Sequence, residues 1–107
     1  MRGSKKSSRQ AAISERDLQF IAGRFKLLAD PTRLRILHTL QDGERTVSEV
    51  LAATGTTQAN ISKHLGVLSR AEMISRRKKG TNVFYAIADP VIFELCELMC
   101  NRGPNSR

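Results

Sequence analysis

The segment from Thr46 to Tyr85 constrains the fold of this chain more than any other part of the sequence. Its pattern predicts a short helix, a tight turn at Gly55, a second helix and then a basic β-hairpin. This order offers one helix to the major groove of DNA and a hairpin to the flanking phosphates. The segment therefore favours DNA binding.

The charge balance agrees with that interpretation. Lys and Arg number 18 against 10 Asp and Glu, which gives a formal net charge of +8 over 107 residues. Such an excess favours a polyanionic partner. With 40% hydrophobic residues, a chain of this length can bury one modest core. We therefore expect a single domain, and a chain of this size often completes its core by dimerising.

Three regions are expected along the chain. Residues 1–14 are predicted to be a flexible basic arm, residues 15–101 one domain, and residues 102–107 a flexible tail. No apolar run approaches the roughly 20 residues that a bilayer span needs, and no signal-peptide core is present. A cytoplasmic protein without membrane contact is therefore expected.

Five helices and one hairpin are predicted in the order α-α-α-α-β-β-α, a mainly α fold of the winged helix-turn-helix class. The first helix begins at Glu15, and the second begins at Pro31 after an Asp30 cap. Thr46 and Glu49 have the spacing of a capping box for the third helix. Helical spacing gives the first helix one apolar face and predicts buried residues in the next two. These residues are Leu18, Ile21, Ala22, Phe25 and Leu28, then Leu34, Ile36, Leu37 and Leu40, and finally Val47, Val50, Leu51 and Ala52.

The fourth helix is the predicted recognition helix. Ile61, Leu65 and Leu68 are expected to point inward. Amides, hydroxyls and an ammonium group are left outside, where they can meet base edges and phosphates. A purely solvated helix face is the alternative. The candidate DNA contacts are Thr57, Gln58, Asn60, Ser62, Lys63 and His64, of which His64 either supports the helix or donates to a phosphate.

The hairpin supplies a second group of candidates. Strands are predicted over residues 74–78 and 82–87, joined through Gly80. Cations on a projecting hairpin can bind phosphate or enter the minor groove, although they could also serve only solubility. Strand alternation would let no more than half of the four cations contact DNA together. The candidates are Arg76, Arg77, Lys78, Lys79, Thr81 and Asn82.

The last helix is predicted from Pro90 to about Asn101, with Val91, Ile92, Leu95, Leu98 and Met99 on a broad apolar face. Cys96 and Cys100 are four residues apart and share one side of this helix. Two cysteines are too few for a secreted disulfide framework, so both are expected to be thiols.

Three sequence runs resemble the ArsR/SmtB family of bacterial winged-helix repressors. They are L-A-D-P-T-R-L-R-I-L at 28–37, Q-A-N-I-S-K-H-L at 58–65 and R-R-K-K-G-T-N-V-F-Y at 76–85. The resemblance covers residues 25–101. It implies a homodimer, joined through the first and last helices, that binds a palindromic double-stranded operator and releases it when an effector is sensed. One departure is Glu72, where the family usually has Gly.

The resemblance also allows the family's metal sites to be tested against the sequence. The thiol site on the third helix would need cysteines near residues 47–51, and the site on the last helix would need histidines. Neither set is present, so no cofactor is expected to be required.

The cysteines leave two interpretations open. In a dimer joined through the last helix, up to four thiols would gather and could bind a soft ion such as As(III), Cd(II) or Zn(II), or react with persulfide or oxidant. Equally, cysteine is a small apolar residue that often packs interfaces. Both remain candidates for this chain.

Other function classes fit less well. An enzyme is not expected, because no phosphate loop, acid pair or nucleophile with an adjacent base is visible. One Tyr and four Phe offer few stacking platforms for RNA. A winged-helix module that binds protein instead of DNA is the remaining rival.

Overall fold

The computed structural model describes residues 12–100, which form five helices and three strands. The elements run α1 (Glu15–Leu28), α2 (Pro31–Leu40), β1 (Arg45–Thr46), α3 (Val47–Thr54), α4 (Gln58–Arg70), β2 (Ile74–Lys79), β3 (Asn82–Ile87) and α5 (Pro90–Cys100). The predicted winged helix-turn-helix fold is confirmed, with β1 as an addition. Most of the predicted basic arm, the end of the last helix at Asn101 and the whole predicted tail lie outside the described residues.

The three strands form an antiparallel sheet in the order β1-β3-β2. Along the β2–β3 hairpin the register runs from Ile74 opposite Ile87 to Lys79 opposite Asn82. The two-residue turn begins with Gly80 at φ 64°, a positive angle that glycine adopts without strain. β1 was not predicted, because two residues are too short to show the alternation of a strand. It pairs with the edge of β3 that the hairpin leaves open.

The core is built around α2, which contacts α1, α3, α4, α5 and β3. Ile36 and Leu37 are fully buried, and Leu40 is nearly so. Val50, Ile61, Leu65, Leu68 and Met73 surround them from the neighbouring elements. Because α2 contacts elements from both ends of the chain, it sets the relative positions of the whole fold.

Side-chain caps define where the helices begin. The Asp30 carboxylate accepts a hydrogen bond from the Arg33 backbone N–H at 3.0 Å, which lowers the pKa of Asp30. Thr46 and Glu49 form the predicted capping box at the start of α3. Ser14 caps α1 by accepting from the Asp17 N–H. These caps explain why the sequence located the helix starts well.

Two predictions of buried residues were wrong. Leu34 is 40% exposed because it lies on the side of α2 that faces an open groove. Ala52 is exposed as well, on the outer side of the short helix α3. In both helices, the apolar stripe predicted from helical spacing is wider than the surface that the neighbouring elements cover.

Large apolar side chains remain exposed on α1 and α5. They are Leu18, Phe20, Ile21 and Phe25 on α1, and Val91, Phe93, Leu98 and Met99 on α5. Because exposed apolar patches typically mark interfaces, these two helices are the candidates for one. Within residues 12–100, no helix has both the length and the apolar content needed to cross a bilayer.

Glu72 adopts a left-handed backbone conformation, with φ 60°. It follows the end of α4, where its N–H donates to the Ser69 carbonyl and the Met73 N–H donates to the Leu68 carbonyl. These bonds are those of a Schellman C-cap, in which the left-handed position is usually occupied by glycine. Leu68 and Met73, on either side, are fully buried in one core cluster. The turn is thus fixed by its neighbours despite the unfavourable residue.

The substitution Glu72→Gly is expected to raise the free energy of unfolding by about 0.5–1 kcal/mol. The gain from relieving left-handed strain exceeds the added entropy of glycine in the unfolded chain. Urea unfolding at fixed protein concentration measures the change. Glu72→Ala, which keeps the strain and removes the carboxylate, should leave stability near that of the wild type. A less stable Glu72→Gly variant would contradict this explanation of the turn.

Candidate nucleic-acid interface

A short turn sets α4 against α3. Gly55 ends α3 in a left-handed conformation, with φ 70°, and its N–H donates to the Leu51 carbonyl at 3.1 Å. The Thr57 hydroxyl then caps α4 by accepting from the Asn60 N–H at 3.1 Å. Helix α3, this turn and α4 form the helix-turn-helix that the sequence predicted.

The first two turns of α4 present a polar exposed patch. Gln58, Ser62 and Lys63 are exposed, together with Ala59 between them. Because residues three and four apart are neighbours on a helix, the four side chains form one continuous surface. Ala59 has no polar group and was not among the predicted contacts, although a methyl group at such a place can contact a thymine methyl.

Two of the predicted contacts already have roles within the protein. Thr57 is the helix cap, and the Asn60 amide donates to the Thr56 hydroxyl at 3.1 Å. Asn60 is also half-buried. These residues shape the start of α4, whereas Gln58, Ser62 and Lys63 are the side chains available to a ligand.

His64 lies on the inner side of α4 and is only 7% exposed. Its Nδ1 atom is 3.2 Å from Nη1 of Arg33 in α2. Since a guanidinium group can only donate, Nδ1 is the acceptor of this hydrogen bond. The structure therefore places His64 as a support of the helix, away from the patch that includes Lys63.

Arg33 joins three helices and was missed by the sequence analysis. Besides contacting His64 in α4, its Nε donates to the Leu27 carbonyl near the end of α1 at 2.6 Å. Its backbone N–H completes the Asp30 cap of its own helix. Nothing in the spacing of the sequence indicates a partner 31 residues away.

The wing, residues 74–87, carries four cations in unequal environments. Arg76, Lys78 and Lys79 are exposed. Arg77 is exposed as well, but it also binds the Glu44 carboxylate through two hydrogen bonds of 2.8 Å, and its guanidinium carbon is 5.2 Å from the centroid of the Phe84 ring. These bonds lower the pKa of Glu44 and raise that of Arg77, and the Lys79 charge lowers the pKa of Glu44 further.

The remaining wing candidates lie at the hairpin tip. Thr81 follows Gly80 in the turn, and Asn82 begins β3 opposite Lys79. Both side chains are exposed. The wing therefore ends in a polar tip with cations on both strand faces.

The two thiols line an apolar groove of about 420 Å³ between α1, α2 and α5. Its other walls are Phe25, Leu28, Ala29, Leu34, Leu95 and Met99. Cys96 is 3% exposed, and burial, with a smaller contribution from neighbouring Cys100, raises the pKa of its thiol. Cys100 is half-buried, and neither cysteine is in a disulfide. Reactivity toward a thiophile should therefore begin at Cys100.

Within the described part of the chain, no three His, Cys, Asp or Glu side chains converge as a metal site. His38, a residue type that often binds metals, contacts Gln41, and its Nδ1 atom is 3.1 Å from Oε1 of that residue. A soft ion bound at Cys96 and Cys100 would need further ligands from solvent or from a second chain.

Comparison with known proteins identifies similar molecules. A family model described as a helix-turn-helix domain matches residues 28–77. The HTH-type transcriptional regulator Rv0081 of Mycobacterium tuberculosis is 44% identical over 72 residues, 66% of this chain and 63% of that protein. A probable mercury resistance operon repressor of Streptomyces lividans is 38% identical, over 69% of this chain and 59% of that protein. The chain thus spans about three fifths of the length of these relatives.

Solved structures give the same result. The crystal structure of Rv0081 has a TM-score of 0.75 and 39% identity, covering 82% of this chain and 89% of that one. The homodimeric winged helix-turn-helix domain of Mb0332 from Mycobacterium bovis, described as a possible ArsR-family transcriptional regulator, has a TM-score of 0.71 and 34% identity. That match covers 94% of this chain and 87% of the other.

Replacing the cap of α4 is expected to destabilise the fold. Thr57→Ala should lower the free energy of unfolding by about 1 kcal/mol, because the Asn60 N–H loses its acceptor. Thr57→Ser keeps the hydroxyl and should remain close to wild type. Chemical denaturation of the three proteins tests the assignment, and equal loss in both variants would show that the methyl group matters and the cap does not.

Proposed function

Because the chain belongs to the ArsR/SmtB family of winged-helix transcriptional regulators, we propose that it is a repressor that binds double-stranded operator DNA through α4 and the wing. The observation that best supports this proposal is the exposed patch of Gln58, Ser62 and Lys63 on α4, whose inner face packs in the core. A rigid helix with a short polar outer face suits readout of base edges in the major groove. Acting on DNA, it would work in the cytoplasm.

The wing supports this proposal through charge. Arg76, Lys78 and Lys79 are exposed cations on a hairpin that directly follows the recognition helix. Cations at such a place bind phosphates and set the register of the protein on the duplex, while α4 supplies the base contacts. Thr81 and Asn82 at the tip would add hydrogen bonds to the backbone.

We propose a homodimer joined through α1 and α5, because eight of the ten exposed large apolar side chains among the described residues lie on these two helices. The similar Mb0332 domain is described as homodimeric. Two copies related by a two-fold axis would present two recognition helices to two half-sites, so the operator would be palindromic.

The effector would act where the apolar groove meets that dimer interface. One similar protein is named as a mercury resistance repressor, and mercury, like As(III) and Cd(II), prefers thiolate ligands. Cys96 and Cys100 offer two thiols per chain on one side of α5. Binding there by a thiophilic ion, a persulfide or an oxidant would shift α5 and change the spacing of the recognition helices. The alternative is that both thiols only pack the interface.

An enzymatic role has little support. Several proteins similar to this chain are named as transcriptional regulators. The groove beside α5 is lined by apolar side chains and two thiols, without an acid or base to transfer protons. We therefore infer that the groove holds an effector or a partner surface and no substrate.

Lys63→Gln is expected to weaken binding to a duplex recovered by selection from random-sequence DNA. Loss of one charged contact from each of two chains should lower the affinity about 30-fold or more, since each such contact is worth about 1–3 kcal/mol. Fluorescence anisotropy at fixed salt measures it. Arg70→Gln removes the same charge from the other end of α4 and should have a much smaller effect. Equal losses would mean that only net charge matters.

Thiol sensing predicts that the complex dissociates when reduced protein is titrated with Hg(II), As(III), Cd(II), Zn(II), a persulfide donor or an oxidant. Because Cys100 is the more accessible thiol, Cys100→Ser should retain DNA affinity and lose the response. Cys96→Ser should retain DNA affinity as well. Tight binding that ignores all six reagents would assign the cysteines to packing.

A further inference from the structure

One of the four wing cations is bound within the protein. Both Glu44 carboxylate oxygens accept hydrogen bonds from Arg77, one from Nε and one from Nη2, each at 2.8 Å. Bidentate pairing of this kind fixes the plane of the guanidinium as well as its position. The pair joins the turn between α2 and β1 to the middle of β2.

The Arg77 side chain reaches Glu44 by crossing the sheet. Phe84 of β3 lies opposite Arg77 on one side and opposite Thr46 of β1 on the other. The guanidinium is 5.2 Å from the Phe84 ring centroid, close enough for a cation–π interaction. Arg77 therefore spans from β2 over β3 to the turn that precedes β1, and ties the hairpin to the body of the protein.

This ion pair is exposed, so its value for stability is small. The side chains are 51% and 36% exposed for Arg77 and Glu44. Exposed pairs contribute little to folding, because water and salt screen them. The ion pair matters more for the position of the Arg77 side chain, because that position determines which cations of the hairpin can contact a ligand.

We propose that Glu44 is a positioning residue of the wing, which withholds Arg77 from DNA phosphates and holds the hairpin for contact through its other cations. The inference rests on the proposed DNA-binding function and adds that Glu44 controls how many wing cations bind DNA phosphates. In the wild type, Glu44 already neutralises Arg77. Arg77 therefore neutralises no DNA phosphate and displaces no counterion from the DNA. Without the carboxylate, the guanidinium stays charged and half-exposed, and it becomes an additional phosphate ligand.

The salt dependence of DNA binding tests this proposal. Each neutralised phosphate contributes about 0.9 to the slope of log affinity against log salt. Glu44→Gln should steepen that slope by about 0.9 per chain, or about 1.8 for two chains on one operator. Between 50 and 200 mM salt, the variant would lose about 12-fold more affinity than the wild type. Asp42→Asn, an equal charge change two residues away in the same exposed turn, should not alter the slope.

The salt slope of the double variant Glu44→Gln/Arg77→Gln is the second measurement. This variant removes one charge of each sign, so its net charge equals that of the wild type. If Arg77 makes no phosphate contact in the wild type, the double variant should keep the wild-type slope. A slope shallower by about 1.8 would show that Arg77 binds phosphate despite Glu44 and would overturn the proposal. An unchanged slope in Glu44→Gln would overturn it as well.

Failure of this inference is distinguishable from failure of the proposed function. If wild-type protein selects no DNA, the function itself is wrong. If it binds and the variants behave otherwise than stated, only the role of Glu44 is wrong. Thermal unfolding close to that of the wild type in each variant confirms that the slopes compare folded proteins.

Discussion

The packing of α2 at the centre of the molecule is the interaction on which the rest of the structure depends. Ile36, Leu37 and Leu40 bury one side of this helix against four other helices and β3. At its start, Arg33 binds the end of α1 and the inner face of α4 through His64. The recognition helix is thus held by apolar packing and by a polar contact, so its outer face has a defined direction. A displacement of α1 or α5 would reach α4 through the same helix.

A second constraint is the size of the chain. The core around α2 cannot also cover the outward faces of α1 and α5, where apolar side chains remain exposed. The proposed dimer would bury those faces, and the groove containing Cys96 and Cys100 would then lie close to the junction. The effector site, the dimer interface and the recognition helix α4 would therefore all contact the same few packed helices. An allosteric repressor requires such a connection between its effector site and its DNA-binding site.

The sequence predicted the helices and the hairpin because caps, helical spacing and turn residues are local signals. The family was predicted separately, from the three sequence runs that resemble it. Asp30, the Thr46–Glu49 box and Thr57 act within three residues of themselves. What it missed depends on contacts between distant segments: the pairing of β1 with β3, the Arg33–His64 contact and the binding of Arg77 by Glu44. Burial of His64 and exposure of Leu34 also depend on which side of a helix the other elements cover, and helical periodicity alone does not specify that side.

The most direct test of the account is selection from a random double-stranded DNA library, followed by native mass spectrometry of the chain on the selected duplex. The account predicts enrichment of an inverted repeat whose half-sites lie about one helical turn apart, with two chains bound per duplex. Recovery of no consensus, or of a single half-site occupied by one chain, would contradict a homodimeric repressor that reads DNA through α4.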